Sequence, residues 1–389
     1  MTRFSEMQEL PHGLVHLFVV NVIFAQNQSI MTTLLGLLAQ SKGATPLDIG
    51  LLFLLSGSAS TFLMIPSGIL SQTLGKRKLI IFSTMISAVS LFSLTLAPTW
   101  QWLVLGASGF NIGFALFIPA RMNLVADYST RRNRTTVFGI INMSWPLGTI
   151  YGPTMAGALV DNLGWSSAFY FAAVTELVSL SFALRLNEEH EAGAGVVEEA
   201  SAGSVGWEFM RSRVTFLFVM HLLTSLGIST VDPLLPLYLQ ERFGVSKMGV
   251  GIFYSLSAGF ATLLGQIPAG IVGDRYGKRM LILASTVSIA PLYILCALAD
   301  TYLLLLVFYV GIHAAWSLTW PTTMALLVDM VPSSRRGLAI GVRQTMIRIG
   351  SDFGPSLGGY LSPFPLPFYA SALLTAVSIP FILLIRERK

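Results

Sequence analysis

The strongest constraint on this chain is a succession of long apolar runs, each separated from the next by a short polar break. A helix crossing a hydrocarbon core about 30 Å thick needs roughly 20 such residues, and there it must satisfy its own backbone hydrogen bonds. The runs lie near 12–39, 47–70, 79–97, 101–126, 136–160 and 166–185, then near 213–240, 248–272, 280–299, 302–329, 337–361 and 366–385. They predict an all-α membrane protein of twelve transmembrane helices. Composition agrees, with 53% hydrophobic and 11% charged residues against about 25% charge in a soluble domain. Twelve spans in 389 residues leave no room for a separate soluble domain.

The basic residues are distributed unevenly. With the first residues placed in the cytoplasm, eighteen of the 24 Lys and Arg fall in cytoplasmic segments, whereas Lys42, Arg242 and Lys247 fall opposite and Arg121, Arg343 and Arg348 within spans. Positive charge collects in cytoplasmic loops, so both termini are expected there, in a cell (plasma) membrane. The net charge of +5 follows from this bias, and the expected macromolecular surroundings are the lipid bilayer rather than nucleic acid. The first residues include acids and run into a span too long for a signal h-region, so they are expected to be retained. A single cysteine, Cys296, excludes an internal disulfide. Neither CxxC nor HExxH occurs, so no metal or cofactor is expected. A monomer is expected.

The segment from Asn187 to Arg213, rich in Glu, Gly, Ala and Ser, divides the chain near its middle and reads as a cytoplasmic linker. The expected organisation is a bundle over 1–186, a linker over 187–212 and a second bundle over 213–389. The two halves are repeats. At a spacing of 202, Pro66 matches Pro268, Gly75 matches Gly277, Pro119 matches Pro321, Asp127 matches Asp329, Arg134 matches Arg336 and Pro153 matches Pro355. Two pseudo-symmetric six-helix bundles, related by an axis along the membrane normal, are implied.

Two motifs carry a family resemblance. GIVGDRYGKR contains Gly270, Asp274, Arg275, Gly277, Lys278 and Arg279 between the second and third helices of its half. Its counterpart, GILSQTLGKR, keeps Lys76 and Arg77 but has Gln72 and Thr73 in place of the acid and first arginine. GTIYGPTMAG supplies Gly148, Gly152, Pro153 and Gly157, and GSDFGPSLGG supplies Gly350, Gly354, Pro355 and Gly359. Over its whole length the chain resembles a twelve-helix member of the major facilitator superfamily, in its drug:proton antiporter-like branch.

That resemblance implies a cytoplasmic gate in which Asp274 docks on the start of helix five around Arg134. Lys278 or Arg279 would then pair with Asp329, and Lys76 or Arg77 with Asp127, with Arg336 as the counterpart of Arg134. The degraded first copy implies an asymmetric latch. The alternative is a solvated turn that obeys the charge rule. In the glycine motifs, small residues four or five apart allow close helix approach and proline permits a bend, which suits either a sliding seam or ordinary tight packing.

Polar groups within spans are the candidate functional residues, because an ionisable side chain at the bilayer centre costs about 2.5–3.5 kcal/mol on insertion scales. Asp232 precedes two prolines in helix seven, as a coupling carboxylate or a helix break. His313, Trp316, Ser317 and Trp320 share one face of helix ten, as a cavity wall or as core packing. Helix four presents Phe110, Phe114, Phe117 and Arg121, with Asn111 beside them, and helix one carries Gln26 and Asn27; both faces are expected to line the cavity. Glu176 in helix six is either a proton site or a satisfied polar packer. In helix eleven, Arg348 and Asp352 can meet on one face and neutralise each other. If Arg343 or Arg348 instead points into the cavity, an anionic substrate is favoured. The resemblance also leads one to expect an arginine in the outer half of helix four, where this chain has Ala107.

These residues predict a secondary active transporter that works by alternating access, with a small-molecule substrate and protons as partners. Its expected activity is proton-coupled efflux of a small hydrophobic or amphipathic compound. Uptake of an organic acid is the alternative, and a transporter-like sensor or scaffold is the alternative from another class. No nucleophile elbow or phosphate loop suggests an enzyme.

Overall fold

The computed structural model describes residues 12–129, 134–187, 213–332 and 336–385, and among them every regular element is a helix. The first half contains α1 (His12–Ser41), α2 (Pro46–Thr73), α3 (Lys76–Thr95), α4 (Trp100–Asp127), α5 (Arg134–Leu163) and α6 (Trp165–Ala183). The second contains α7 (Val214–Val231), α8 (Leu235–Phe243), α9 (Lys247–Tyr254), α10 (Ala261–Tyr276), α11 (Lys278–Ala297), α12 (Tyr302–Met330), α13 (Arg336–Leu361) and α14 (Leu366–Leu384). End to end, α7 with α8 and α9 with α10 each make one rod, so the described helices form twelve rods. Ten of these are long and apolar enough to cross a membrane. The other two, α5 and α13, are 30 and 26 residues long but rich in glycine and polar residues. The expected linker over 187–212 lies almost entirely outside the described residues.

Local chemistry sets the boundaries close to those expected from the sequence. Thr45 caps α2 in a reciprocal box with Asp48, and Pro46 occupies its first turn, where a missing N–H costs nothing. Ser246 caps α9 through the Gly249 amide, and Thr301 caps α12. The tight turns into α3 and α11 run through Gly75 and Gly277 at φ 93° and 91°, a region where a side chain is strained.

Two rods are interrupted. Asp232, Pro233 and Leu234 separate α7 from α8, as the missing proline N–H requires. Between α9 and α10, Ser255–Phe260 forms a π-helical turn, which sequence patterning does not signal directly. The repeat register nonetheless marks it. The caps Thr45 and Ser246, and then Gly50 and Gly251, stand 201 apart, whereas Pro66 and Pro268 stand 202 apart. The second half therefore carries one extra residue between 251 and 268, and the widened turn accommodates it.

We call the end at which α1 begins and α14 stops the base, and the opposite end the crown. The halves meet along two seams, α2 against α13 and α5 against α9 and the π-turn. At the crown the contact is backbone to backbone. A Cβ at Gly50 would lie 2.5 Å from the Pro355 carbonyl oxygen. Gly251 meets the Pro153 carbonyl, Gly157 meets that of Lys247 and Gly359 that of Pro46. Gly148 and Gly152 face α1, and Gly350 and Gly354 face α7, so one flank of each glycine motif packs within its own half. The motif thus builds both the tight interior contact and the seam.

Hydrogen bonds reinforce the crown. Gln40 donates to Glu241 at 2.8 Å, and the Asp161 carboxylate accepts from the Lys247 and Met248 amides at 3.1 and 2.8 Å. A carboxylate of one half thereby caps the N-terminus of α9 in the other, where the helix dipole favours an anion. Such a contact is worth roughly 0.5–2 kcal/mol. Asp161→Ala should therefore raise the crown-open population by roughly 2- to 30-fold. Spin labels at Leu163 and Leu303, both exposed on opposite halves, should report a longer distance component; an unchanged distribution would show that Asp161 does not hold the crown.

Candidate functional site

Between Trp165 and Ala183 the Glu176 side chain turns toward α1, where Asn27 donates to it at 2.6 Å. Asn27 also donates to the Ala172 carbonyl at 3.2 Å, and Gln26 donates to Asn27 and Thr175 at 3.1 and 3.0 Å. Glu176, Asn27 and Gln26 are all buried. Gln26 and Asn27 therefore face α6 within the first half rather than the midline, because two amides in an apolar helix need partners and α6 offers both. Glu176 takes the position of a hydrogen-bonded packing residue, with Oε1 unpartnered among the described residues.

The aromatic face of α4 divides in the same way. Phe110 and Phe117 stack on Phe24 of α1 at 5.5 and 4.3 Å between ring centroids, so they build the core of the first half instead of an open wall. Asn111 donates to its own helix at the Ala107 carbonyl. Arg121 is buried and donates to Asn21 of α1 at 2.8 Å. Phe114 alone turns toward the other half, with Trp145 of α5 edge-on at 6.3 Å.

Across the midline, α13 carries three charged side chains. Arg343 is fully buried and stays within its own half: it donates to His221 Nε2 at 3.1 Å and to Thr323 at 3.2 Å, and lies 4.7 Å from the Trp320 ring centroid. His221 accepts because its Nδ1 donates to the Leu217 carbonyl at 2.8 Å. Arg348 and Asp352 both cross to α2. Arg348 donates to Ser60 and lies 4.8 Å from the Phe114 ring centroid, while Asp352 accepts from Thr61 at 2.5 Å. The expected one-turn ion pair is not formed: among the described residues no carboxylate lies within 4.0 Å of Arg348. Each of the pair instead makes its hydrogen bond to a hydroxyl of α2, while Asp352 still acts on Arg348 through space.

A third cluster gathers at the break in the seventh rod. Asp232 accepts from the Tyr309 hydroxyl, and its carboxylate lies 4.0 Å from His313 Nε2. The Tyr254 hydroxyl donates to the Asp232 carbonyl. The next residue, Ser255, begins the π-turn and is hydrogen-bonded to Thr154 of α5 at 2.7 Å across the seam. A chain of contacts thus runs from the acid to the other half. Trp316, one turn beyond His313, is partly buried against the same core.

The Major Facilitator Superfamily model matches residues 17–264 and 217–389. The chain belongs to that superfamily. It is a membrane transporter, not an enzyme. Multidrug resistance protein 1 of Bacillus subtilis is 23% identical over 312 residues, 78% of each chain. Multidrug resistance protein MdtG of Klebsiella pneumoniae is 26% identical over 315 residues, 80% of this chain and 75% of that one. The cis,cis-muconate transport protein of Acinetobacter baylyi is 24% identical over 303 residues, 74% of this chain and 72% of that one. The fold matches the nucleoside transporter NupG at TM-score 0.75 and 14% identity, over 96% of this chain and 98% of that one.

The charged turns at the base are clamped within each half. Lys76 pairs with Asp127 and Lys278 with Asp329. Arg77 donates to the Leu184 carbonyl at the end of α6, and Arg279 donates to Ile382 and Leu383 at the end of α14. Cations there complement the helix dipole. Arg275 lies over the neighbouring Tyr276 ring. Arg134, Gly270, Asp274 and Arg336 are helical, but their surroundings lie outside the described residues. The expected docking of Asp274 on the start of α5 falls on side chains that lie outside those described; a separate carboxylate-to-helix docking is formed at the crown by Asp161.

Several residues of these clusters escaped the sequence reading. Tyr309 stands one turn before His313 on a face already singled out, so that stripe extended backward reaches it. Ser60 and Thr61 lie in the small polar run SGSAST. Asn21, Trp145 and His221 give no signal beyond being polar or large within apolar runs. If Glu176 is a packing residue, Asn27→Leu should destabilise the purified protein by about 1–3 kcal/mol, the penalty of an unpaired buried group. Glu176→Gln should leave Tm nearly unchanged, because the amide can keep the Asn27 bond. A large drop in Tm for Glu176→Gln would overturn this assignment.

Proposed function

We propose that the protein is a secondary active transporter that exports a small amphipathic compound by alternating access, driven by protons moving inward. The observation that carries this reading is the group of contacts between the halves at the crown and at mid-depth, from Gln40 with Glu241 and Asp161 with the start of α9 down to Thr154 with Ser255 and Arg348 with Ser60. With the base taken as cytoplasmic, these contacts would hold the outer mouth of a carrier shut, the form that loads from within. The base turns that clamp each half would serve as the opposing gate in the other state, Asp274 included.

Asp232 is the proposed proton carrier. It is a carboxylate held by a phenol and facing an imidazole, so either member of the pair can hold the exchanged proton. Tyr254 and Ser255 link it to the α5 seam, which gives protonation a route to the contact that must open. The resemblance to proteins named for multidrug resistance supports export. A second reading, uptake of an organic acid, draws on the buried arginines and on the similarity to a muconate transport protein.

In everted vesicles, an imposed inward-acid gradient should drive accumulation of a transported dye. Asp232→Asn should abolish the gradient-driven component while downhill exchange persists, and Tyr309→Phe should weaken it less. Gradient-driven accumulation that survives in Asp232→Asn removes this residue from the coupling. Binding with no flux in any variant points to a sensor.

A further inference from the structure

We propose that Arg348 is the seat for an anionic head group on the cargo, and that the transported molecule is a planar, preferably aromatic, organic anion. This rests on the transport reading and specifies its substrate class. Arg348 stands near the middle of α13, and its contacts Ser60 and Phe114 stand near the middle of α2 and α4, so the guanidinium lies between the halves at mid-depth. Both contacts are neutral. No carboxylate is within 4.0 Å among the described residues, and the buried Nε has no hydrogen-bond partner.

A cation in an apolar surround requires a counter-charge or a compensating set of acceptors. The other two arginines within spans find their partners inside one half. Arg343 donates to His221, Thr323 and Gln344 and stacks on Trp320, and Arg121 is tied to Asn21, all within one half. Arg348 alone of the three is shared between halves; its Nε is open, as is that of Arg121, and the charge that acts on it is Asp352, one turn on and already engaged by Thr61. Its planar fork matches a carboxylate in two-point geometry. Phe114, with Trp145 edge-on beside it, provides a surface for a flat ring attached to that carboxylate.

The seat has a consequence for the seam. A cargo carboxylate competes with Ser60 for the guanidinium, so loading exchanges a bond between halves for a bond to cargo. An uncharged analogue leaves the Ser60 bond in place.

The test uses 1-naphthoate, its neutral isostere 1-naphthamide and the cation 1-naphthylmethylamine, bound to the purified full chain by equilibrium dialysis. The carboxylate should bind roughly tenfold or more tighter than the amide, the worth of one charge-assisted hydrogen bond. Arg348→Gln should erase the preference, and Arg348→Lys should keep part of it. Equal binding of the three probes, no binding of any, or a preference intact in Arg348→Gln overturns the proposal. The comparison of probes on the unsubstituted protein decides the matter even if a variant fails to fold. Flux in proteoliposomes separates the two readings: transport without charge preference removes the seat alone, whereas carboxylate-selective binding without flux removes the transport reading alone.

Discussion

Backbone-to-backbone approach at glycine is the contact on which the arrangement depends. A bilayer offers no hydrophobic force between helices, so association comes from close packing and polar contact. Gly50 and Gly251 meet the carbonyls of Pro355 and Pro153, and Gly157 and Gly359 meet those of Lys247 and Pro46. Each contact pairs a motif residue of one half with the first turns of a rod in the other. Because these contacts are between backbones, the surfaces can part with few side chains to unthread, and reclosing requires that the backbones return to register.

Onto that frame the chain distributes its buried polar groups in two ways. Glu176, Arg121 and Arg343 have their partners inside one half and keep them however the halves move. Arg348, Asp352 and Ser255 have partners on the opposite half. The first set stabilises the bundles as rigid bodies, and the second ties the relative position of the bundles to chemistry at mid-depth. The two seams also differ. At mid-depth the α2–α13 seam carries charge, whereas the α5 seam there pairs two hydroxyls and packs Ile150 against Gly259.

Much of the fold was legible because its signals are long and redundant. Apolar runs placed the helices, and the repeated glycines and prolines exposed two equivalent halves. The break at Asp232 was announced by its prolines. Which partner each polar residue chooses was not legible, because periodicity assigns a face but not the neighbour on that face. Gln26, Asn27, Phe110 and Phe117 lie on faces whose pattern suits a central wall, yet α6 and Phe24 lie closer. Arg348 and Asp352 have the spacing of an ion pair but find hydroxyls across the midline. The Lys76 and Lys278 pairs, by contrast, follow from two matched loops whose acids recur at the same interval.

The widened turn at Ser255–Phe260 has a geometric consequence of its own. One surplus residue in a helix that turns about 100° per residue would swing everything beyond it round the axis, and the under-wound π-turn absorbs it. The crownward piece, α9, presents Gly251 to Pro153 in the same manner as α2 presents Gly50 to Pro355, and the surplus is confined to the turn that joins α9 to α10. A duplicated architecture has in this way become two unequal rods: one continuous, the other interrupted beside the Asp232 network.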